Sequence, residues 1–380
     1  MRKRILRLFL TLFILISFPA FASGERDSLS HSDRQVLNQV ADSIARSHNW
    51  KTLLKERKLD LKDTTVVYPK FLGFCVKVYN WADRVFNSYD TTYVVGTGKK
   101  WKARILSDNW VDSYYLNPGR KMPMRMMSDV YSNLGAYIQF MAVSLGYSFD
   151  LGRFFGQTPS THNKLEFNFN CARFNVEGHF WESYGGTYIR TFGGYNNGHL
   201  IKEFFPGARQ RTLAAKAYYF FNNRKFAMGA AYNFSKIQKK SAGSAIIGLN
   251  FSHVNIMMDM FQLPENLKDH LTIDPMKYVF HYNSWSVISG YSYNLVCNPH
   301  LLLNFTLFPG LGYSRAFGDS VEADAHLLAM NISAQSSLTY NLKNFFICAI
   351  AKMEGNWYNS NQFSFFSSVE NLQLSIGMRF

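Results

Sequence analysis

Histidine, cysteine and serine are the residues through which this chain would do nucleophilic or metal chemistry, and their spacing argues against both. The ten histidines, His31, His48, His162, His179, His199, His253, His270, His281, His300 and His326, are scattered, mostly in expected loops or at strand ends. A lipid-hydrolysing site needs a serine activated by a nearby histidine, and no Gly-x-Ser-x-Gly or comparable serine–histidine motif occurs. There is no His-Glu-x-x-His, and Cys75, Cys171, Cys297 and Cys348 stand alone without Cys-x-x-Cys spacing, so metal binding is not expected. Gly185-Gly186 and Gly193-Gly194 read as turns of a tyrosine-rich outer loop, not as a phosphate cradle. The expectation is a protein with no catalytic, cofactor or metal residues, that is, not an enzyme.

What remains are charges placed by alternation. Glu166, Glu177, Lys216, Lys352 and Glu354 fall on the polar side of segments whose side chains alternate between apolar and polar. Met141, Val143, Leu145, Tyr147 and Phe149 alternate with Ala142, Ser144, Gly146, Ser148 and Asp150; Leu165, Phe167 and Phe169 alternate with Glu166, Asn168 and Asn170. Period two puts one set toward hydrocarbon and the other toward a lumen. A charge facing lipid at mid-membrane costs ~2–4 kcal/mol, so these five are expected inside. There they either pair and fill the barrel or line a small pore and set its selectivity. Trp181, Tyr184, Tyr188, Trp285, Trp357 and Tyr358 lie near strand ends and are expected in the interfacial girdles.

Such runs predict an all-β transmembrane barrel of about 12 antiparallel strands (range 10–14), near 130–139, 141–150, 164–173, 174–187, 211–222, 225–235, 242–257, 282–296, 300–314, 326–341, 344–357 and 363–380. One inconsistency accompanies this count. Short turns follow odd-numbered strands early and even-numbered strands late, changing over across 258–281, so a strand is missed or invented. The last segment gives the sharpest pattern: Leu372, Leu374, Ile376, Met378 and Phe380 alternate with polar residues and glycine up to the chain's end. A closing strand ending in phenylalanine resembles the signal read by bacterial barrel assembly machinery.

Ahead of the barrel, Arg2, Lys3, Arg4 and Arg7 precede an apolar run from Leu8 to Phe18, and Ala20-Phe21-Ala22 supplies small residues, which reads as a signal peptide over 1–22. No later apolar run reaches the ~18 residues of a helical span. Residues 23–127 are expected to form a small, mainly helical periplasmic region, with helices near 33–55 and from Pro69 through Phe86 and a short strand at 91–95. It would be a domain, a plug in the barrel or a clamp at its mouth. The net charge is +15, and removing the leader with its four basic residues leaves +11. This favours anionic partners, here outer-membrane lipids and lipopolysaccharide. Nucleic acid is not expected for an exported chain, and the N-terminal region leaves room for a periplasmic partner. At Lys239-Lys240-Ser241-Ala242-Gly243-Ser244, Lys239 and Lys240 would hold a lipopolysaccharide phosphate, or Ser241, Gly243 and Ser244 would make a tight strand entry.

Several segments resemble an uncharacterised outer-membrane family, domain-of-unknown-function family 4421: Tyr89-Asp90-Thr91-Thr92-Tyr93-Val94, Phe221-Asn222-Asn223-Arg224-Lys225-Phe226, Gln238 to Ser244, and Gly290-Tyr291-Ser292-Tyr293-Asn294. The resemblance implies a barrel behind a short N-terminal region and carries no activity. Three functions fit these readings: passage or binding of small solutes, a structural or partner-binding role, and, least supported for want of a nucleophile, a lipid-modifying enzyme.

Overall fold

In the computed structural model, residues 66–380 are described except 87, 118–121, 151–160, 271–275, 318–319, 321–325 and 360–363, together with Trp50, Leu53 and Asp63. The expected signal peptide, and all of the 33–55 helix apart from Trp50 and Leu53, lie outside the described residues. The chain divides into two units, 1–80 and 81–380. The expected second helix is present as α1 (Lys70–Phe86), and the Pro69 carbonyl accepts the Gly73 N–H at 2.7 Å. Phe71, Phe74, Val78 and Trp81 recur along α1 every three or four residues and are exposed. Among the described residues no helix is long and apolar enough to cross a membrane.

Seventeen strands follow: β1 (Val94–Gly96), β2 (Trp101–Asn117), β3 (Met124–Ser128), β4 (Tyr131–Phe140), β5 (Val143–Asp150), β6 (Thr161–Asn170), β7 (Phe174–Tyr184), β8 (Thr187–Phe192) and β9 (Glu203–Phe205). Then come β10 (Ala208–Phe220), the one-turn helix α2 (Met228–Ala231), β11 (Lys236–Gln238), β12 (Ala242–Asp259), β13 (Lys277–Val296), β14 (Leu301–Ala316), β15 (His326–Leu342), β16 (Phe345–Asn359) and β17 (Ser364–Arg379). Twelve of them, β2, β4–β7, β10 and β12–β17, form one antiparallel sheet, and β17 closes it by pairing with β2 from Ser364↔Asn117 to Arg379↔Lys102. Closure leaves no backbone edge in hydrocarbon, as a membrane-spanning sheet requires.

Twelve was the expected number, but two members differ. The wall begins at Trp101, not Ser128, so the 23–127 boundary is corrected. The 225–235 strand is absent; that stretch holds α2 instead. With β2 gained and 225–235 removed, the short turns on which the count disagreed all follow even-numbered wall strands, and the inconsistency disappears. These turns, at 141–142, 171–173, 297–300 and 343–344, share one end of the barrel with the C-terminus, where Arg379 N–H bonds the Asn344 carbonyl at 2.7 Å. Short turns mark the periplasmic end.

Outward positions carry the apolar set. Along β16, Phe345, Ile347, Met353 and Trp357 are exposed. The twelve-residue rise from Phe345 to Trp357 is ~30 Å for a strand tilted about 40°, the depth of an apolar band and its interfaces. Trp101, Phe140, Phe345 and Phe380 form the inner aromatic belt, and Tyr184, Trp285, Tyr313 and Trp357 the outer one. Beyond the membrane the wall continues on one side. The outer half of β2 pairs with β3, β3 with β8 and β8 with β9. Gly185 and Gly186, at φ +73° and +74°, turn the chain from β7 into this flap, a conformation that disfavours side chains.

The interior of the outer half is a hydrophobic core. Leu116, Met124, Met126, Ile189, Phe205, Ile256, Met258, Phe280, Tyr282, Tyr358 and Phe365 are all buried in one cluster. Phe280 of β13 and Phe365 of β17, separated by three intervening strands, stack at 4.1 Å between ring centroids. Side chains from strands that are not neighbours therefore meet inside the outer half of the barrel.

Candidate functional site: the barrel lumen and its periplasmic mouth

All five sequence-predicted lumen charges, Glu166, Glu177, Lys216, Lys352 and Glu354, lie on inward-facing positions at mid-height. They fall into linked groups. Lys216 Nζ reaches Glu354 Oε1 at 2.6 Å and donates to Ser333 Oγ at 3.0 Å, tying β10 to β15 and β16 across the barrel. His179 Nε2 lies 3.8 Å from the same carboxylate. Glu166 Oε1 is 2.9 Å from Lys164 Nζ, which also lies 3.4 Å from Asp108 Oδ2. Asp108 further accepts from Asn371 at 2.5 Å and from Ser148 at 3.2 Å. Glu177 accepts from Asn175 at 2.7 Å and from the Tyr218 hydroxyl. Lys352 shares a cavity with Glu166, His179, Trp181 and Glu354. Arg104 lies over the Tyr137 ring at 4.0 Å. The cations Arg104, Lys164, Lys216 and Lys352 thus face the carboxylates Asp108, Glu166, Glu177 and Glu354 in equal number.

The space left among them is small. Two neighbouring cavities of about 40 Å³ each sit here, one against Trp110, Lys164, Trp181 and Glu354, the other against Arg104, Asn168, Glu177 and Tyr232. A water needs ~10–15 Å³ of such volume, so each holds a few waters; small-molecule sites are ~300 Å³ or more. Among the described residues, no three His, Cys, Asp or Glu side chains converge as a metal site.

The periplasmic end is filled by the chain between β10 and β12. Phe226, Ala227, Met228, Gly229, Ala230, Ala231 and Phe234 are almost wholly inaccessible. The segment hangs from wall side chains by its own carbonyls: Lys102 Nζ donates to Asn233 O at 3.2 Å, Arg379 Nε to Phe234 O at 2.9 Å and Asn294 Nδ2 to Ala227 O at 2.9 Å. Tyr232 hydroxyl donates to Asn304 Oδ1 at 2.6 Å. Phe234 stacks on Phe346 at 4.3 Å. Beyond the plug, β11 pairs antiparallel with β1, Val94 opposite Gln238. Chain preceding the barrel is thereby hydrogen-bonded to the element that fills it. Asp90 accepts the Thr92 N–H at 2.9 Å and hydroxyl at 2.7 Å, and these bonds, with Lys225 and Lys240 nearby, hold its carboxyl below the usual range.

Lys239 and Lys240 are exposed at this same mouth. This mouth is the short-turn, periplasmic end of the barrel, away from the leaflet that lipopolysaccharide would occupy. The rest of the motif builds the entry to β12. Ser241 Oγ accepts the Val296 N–H at 2.9 Å, and Ser244 Oγ accepts that of Asn222 at 3.0 Å. A Cβ on Gly243 would meet the Tyr291 hydroxyl at 2.3 Å. Leu372, Leu374, Ile376, Met378 and Phe380 face outward on and just after β17.

Of the expected girdle, Tyr184, Trp285 and Trp357 face outward and Tyr188 lies on the outer flap. Trp181 and Tyr358 do not belong to it. Trp181 lines the mid-lumen cavity and Tyr358 packs inside against Tyr282 at 4.9 Å. Sequence reasoning missed Asp108, Lys164 and His179. Lys164 and His179 each stand two residues from an assigned lumen glutamate, so period two would have found them; Asp108 lies on the unrecognised β2.

The family described as Domain of unknown function (DUF4421) matches residues 88–380. No curated protein matches the sequence. Among solved structures, the translocator domain of the autotransporter NalP from Neisseria meningitidis is 8% identical, with a TM-score of 0.34, over 84% of this chain and all of that one. The outer membrane protease OmpT from Escherichia coli is 9% identical at TM-score 0.29, covering 75% and 98%. The COG4313 outer membrane channel from Pseudomonas putida F1 is 9% identical at 0.28, covering 77% and 99%. Likenesses this distant carry no argument about what the chain does.

Proposed function

The chain belongs to the DUF4421 family of unknown function, and from that footing we propose that it is a sealed outer-membrane barrel that anchors and presents a periplasmic interaction region, not a standing pore. One observation carries the reading: the lumen is filled at three successive levels, by the Phe226–Phe234 plug, by the paired mid-height charges and by the outer apolar core. The role is non-catalytic. Removal of the leader after Ala22 would leave the region from Ser23 to the first wall strand in the periplasm, tied to the mouth through β1 and β11. In planar bilayers the purified chain should be silent. Deleting 226–234 alone should leave it silent too, because the Phe280–Phe365 level still closes it; adding Phe280→Ala and Phe365→Ala should produce discrete conductance. Steps from the unaltered chain would refute the proposal. Removing residues 23–87 should abolish envelope complexes without preventing insertion.

A second reading, passage of small solutes, draws support from the β1–β11 pairing, which gives a periplasmic element a direct hold on the plug. In this reading a pull on the N-terminal region withdraws 226–234, and passage further requires the Phe280–Phe365 level to part. Solute entry into proteoliposomes that appears in the Phe280→Ala, Phe365→Ala chain only once deletion of β1 frees the plug would favour it.

A further inference from the structure

We propose that the periplasmic rim of the barrel is a binding ring for anionic phospholipid headgroups. Lys99 and Lys100 open the ring before β2, Arg173 follows at the β6–β7 turn, Arg224 and Lys240 lie on the long connection, and Lys343 sits between β15 and β16; all are exposed. Among the described residues of these periplasmic connections the only acidic side chain is Asp90, whose carboxylate is already occupied by Thr92. The outer end carries both signs: Lys268 is paired to Glu265 at 2.6 Å and Lys277 to Asp259 at 3.5 Å, and exposed Arg211 stands opposite exposed Glu182 in the β7–β10 ladder.

Two features select the ligand. The first is what lies beneath the cations. Lys100 precedes Trp101, Lys343 precedes Phe345 by two residues and Arg224 follows Phe221 by three, and all three aromatics are exposed toward lipid. Trp101 also packs on outward-facing Phe140 at 4.7 Å. An aromatic belt marks the boundary of the hydrocarbon, so the cations just past it sit at phosphate depth. The second is distribution. The cations are spread over connections around the circumference, where a single docked protein would cover a sector, and the surrounding leaflet alone meets every one at once. Charges across the mouth are screened from each other over ~8–10 Å, so each acts as a separate contact. The inference is independent of whether the lumen opens; it rests on the periplasmic assignment of the short-turn end.

The full chain, folded in micelles, is offered equal amounts of phosphatidylglycerol and phosphatidylcholine with identical acyl chains, washed, and its retained lipids counted by native mass spectrometry. Phosphatidylglycerol should be preferred by about fivefold per rim contact. The triple variant Lys100→Gln, Arg173→Gln, Lys343→Gln should lose the preference, and Arg209→Gln with Arg211→Gln at the outer end should keep it. Folding of each is checked by its heat-dependent gel mobility, and Lys343→Gln alone, expected to reduce the preference by one contact, serves if the triple does not fold. Equal retention of the two lipids, or a preference that survives loss of the rim cations, overturns the proposal. So does tight binding of polyglutamate by the rim without any lipid preference, which would assign the ring to an acidic macromolecule.

Discussion

Replacing Lys216 by methionine tests whether the mid-height charges hold the barrel together. The ammonium lies 2.6 Å from Glu354 Oε1, with the two side chains only 5% and 19% exposed. At an effective dielectric near 20 the attraction is ~6 kcal/mol, and it is opposed by several kcal/mol of desolvation for each ion. Lys216→Met removes the attraction and leaves the carboxylate's desolvation uncompensated. Breaking a buried pair from one side costs ~3–5 kcal/mol. Water reaches Glu354 partly, and His179 remains 3.8 Å away, so the lower end applies: about 3 kcal/mol, or roughly a hundredfold in the unfolding equilibrium. Glu354→Leu alone should cost a similar amount, because it strands Lys216 with Ser333 as its polar partner. The double variant removes both ions and should return to within ~1 kcal/mol of the parent, as apolar replacements of buried pairs do. The assay is reversible urea unfolding in phospholipid vesicles followed by tryptophan fluorescence. If Lys216→Met costs less than ~1 kcal/mol, or the double variant costs as much as the two singles added, the pair is not the buried tie described here.

Two further outcomes are expected. Gly290 faces the Leu307 carbonyl of β14, 1.9 Å from where a Cβ would be, beside Pro309, whose missing N–H interrupts the β13–β14 ladder. Gly290→Ala should cost ~2 kcal/mol or more by vesicle unfolding, since backbone cannot give way. Gly243→Ala, opposed by the end of the Tyr291 side chain on the lipid face, should cost under ~1 kcal/mol; equal costs would show that both positions relax alike. Phe380→Ser should lower the amount of barrel inserted in cells while leaving refolding in detergent unchanged, if the terminal aromatic is read by assembly machinery; an equal loss in both would make its role structural.

The lumen charges were legible wherever their strand was legible. Glu166 and Glu177 sit between Leu165 and Phe167, and between Val176 and Gly178, so parity alone assigns them inward. Their partners were not legible in the same way. Lys216 and Glu354 are 138 residues apart, and no local period reports that β10 and β16 face each other across a closed sheet. β2 escaped for a different reason. Its outward set, Ala103, Ile105, Ser107, Asn109, Val111 and Ser113, is half polar, and its inward set is partly apolar, with Leu106 and Trp110 in the lumen and Tyr114 and Leu116 in the outer core. A lumen partly filled with apolar side chains erases the contrast on which alternation depends.

The false strand at 225–235 shows the converse. Phe226, Met228, Ala230, Tyr232 and Phe234 alternate with Ala227, Gly229, Ala231 and Asn233, yet both sets are largely enclosed. Alternation diagnoses a strand between two solvents only if the second set is polar or water-facing. Here most of it is small, which is what a segment threaded into a tube needs: a Cβ on Gly229 would lie 2.7 Å from Asn170 Oδ1 and 2.9 Å from Ser235 Oγ. The composition between the large residues thus separates a plug from a wall strand. Polar in-between residues that face a lumen, as in β6, indicate wall; Ala and Gly with a single Asn indicate a chain packed on every side. Turn parity supports the same division independently, since treating 221–241 as one periplasmic connection places the turns at 141–142, 171–173, 297–300 and 343–344 together at one end of the barrel.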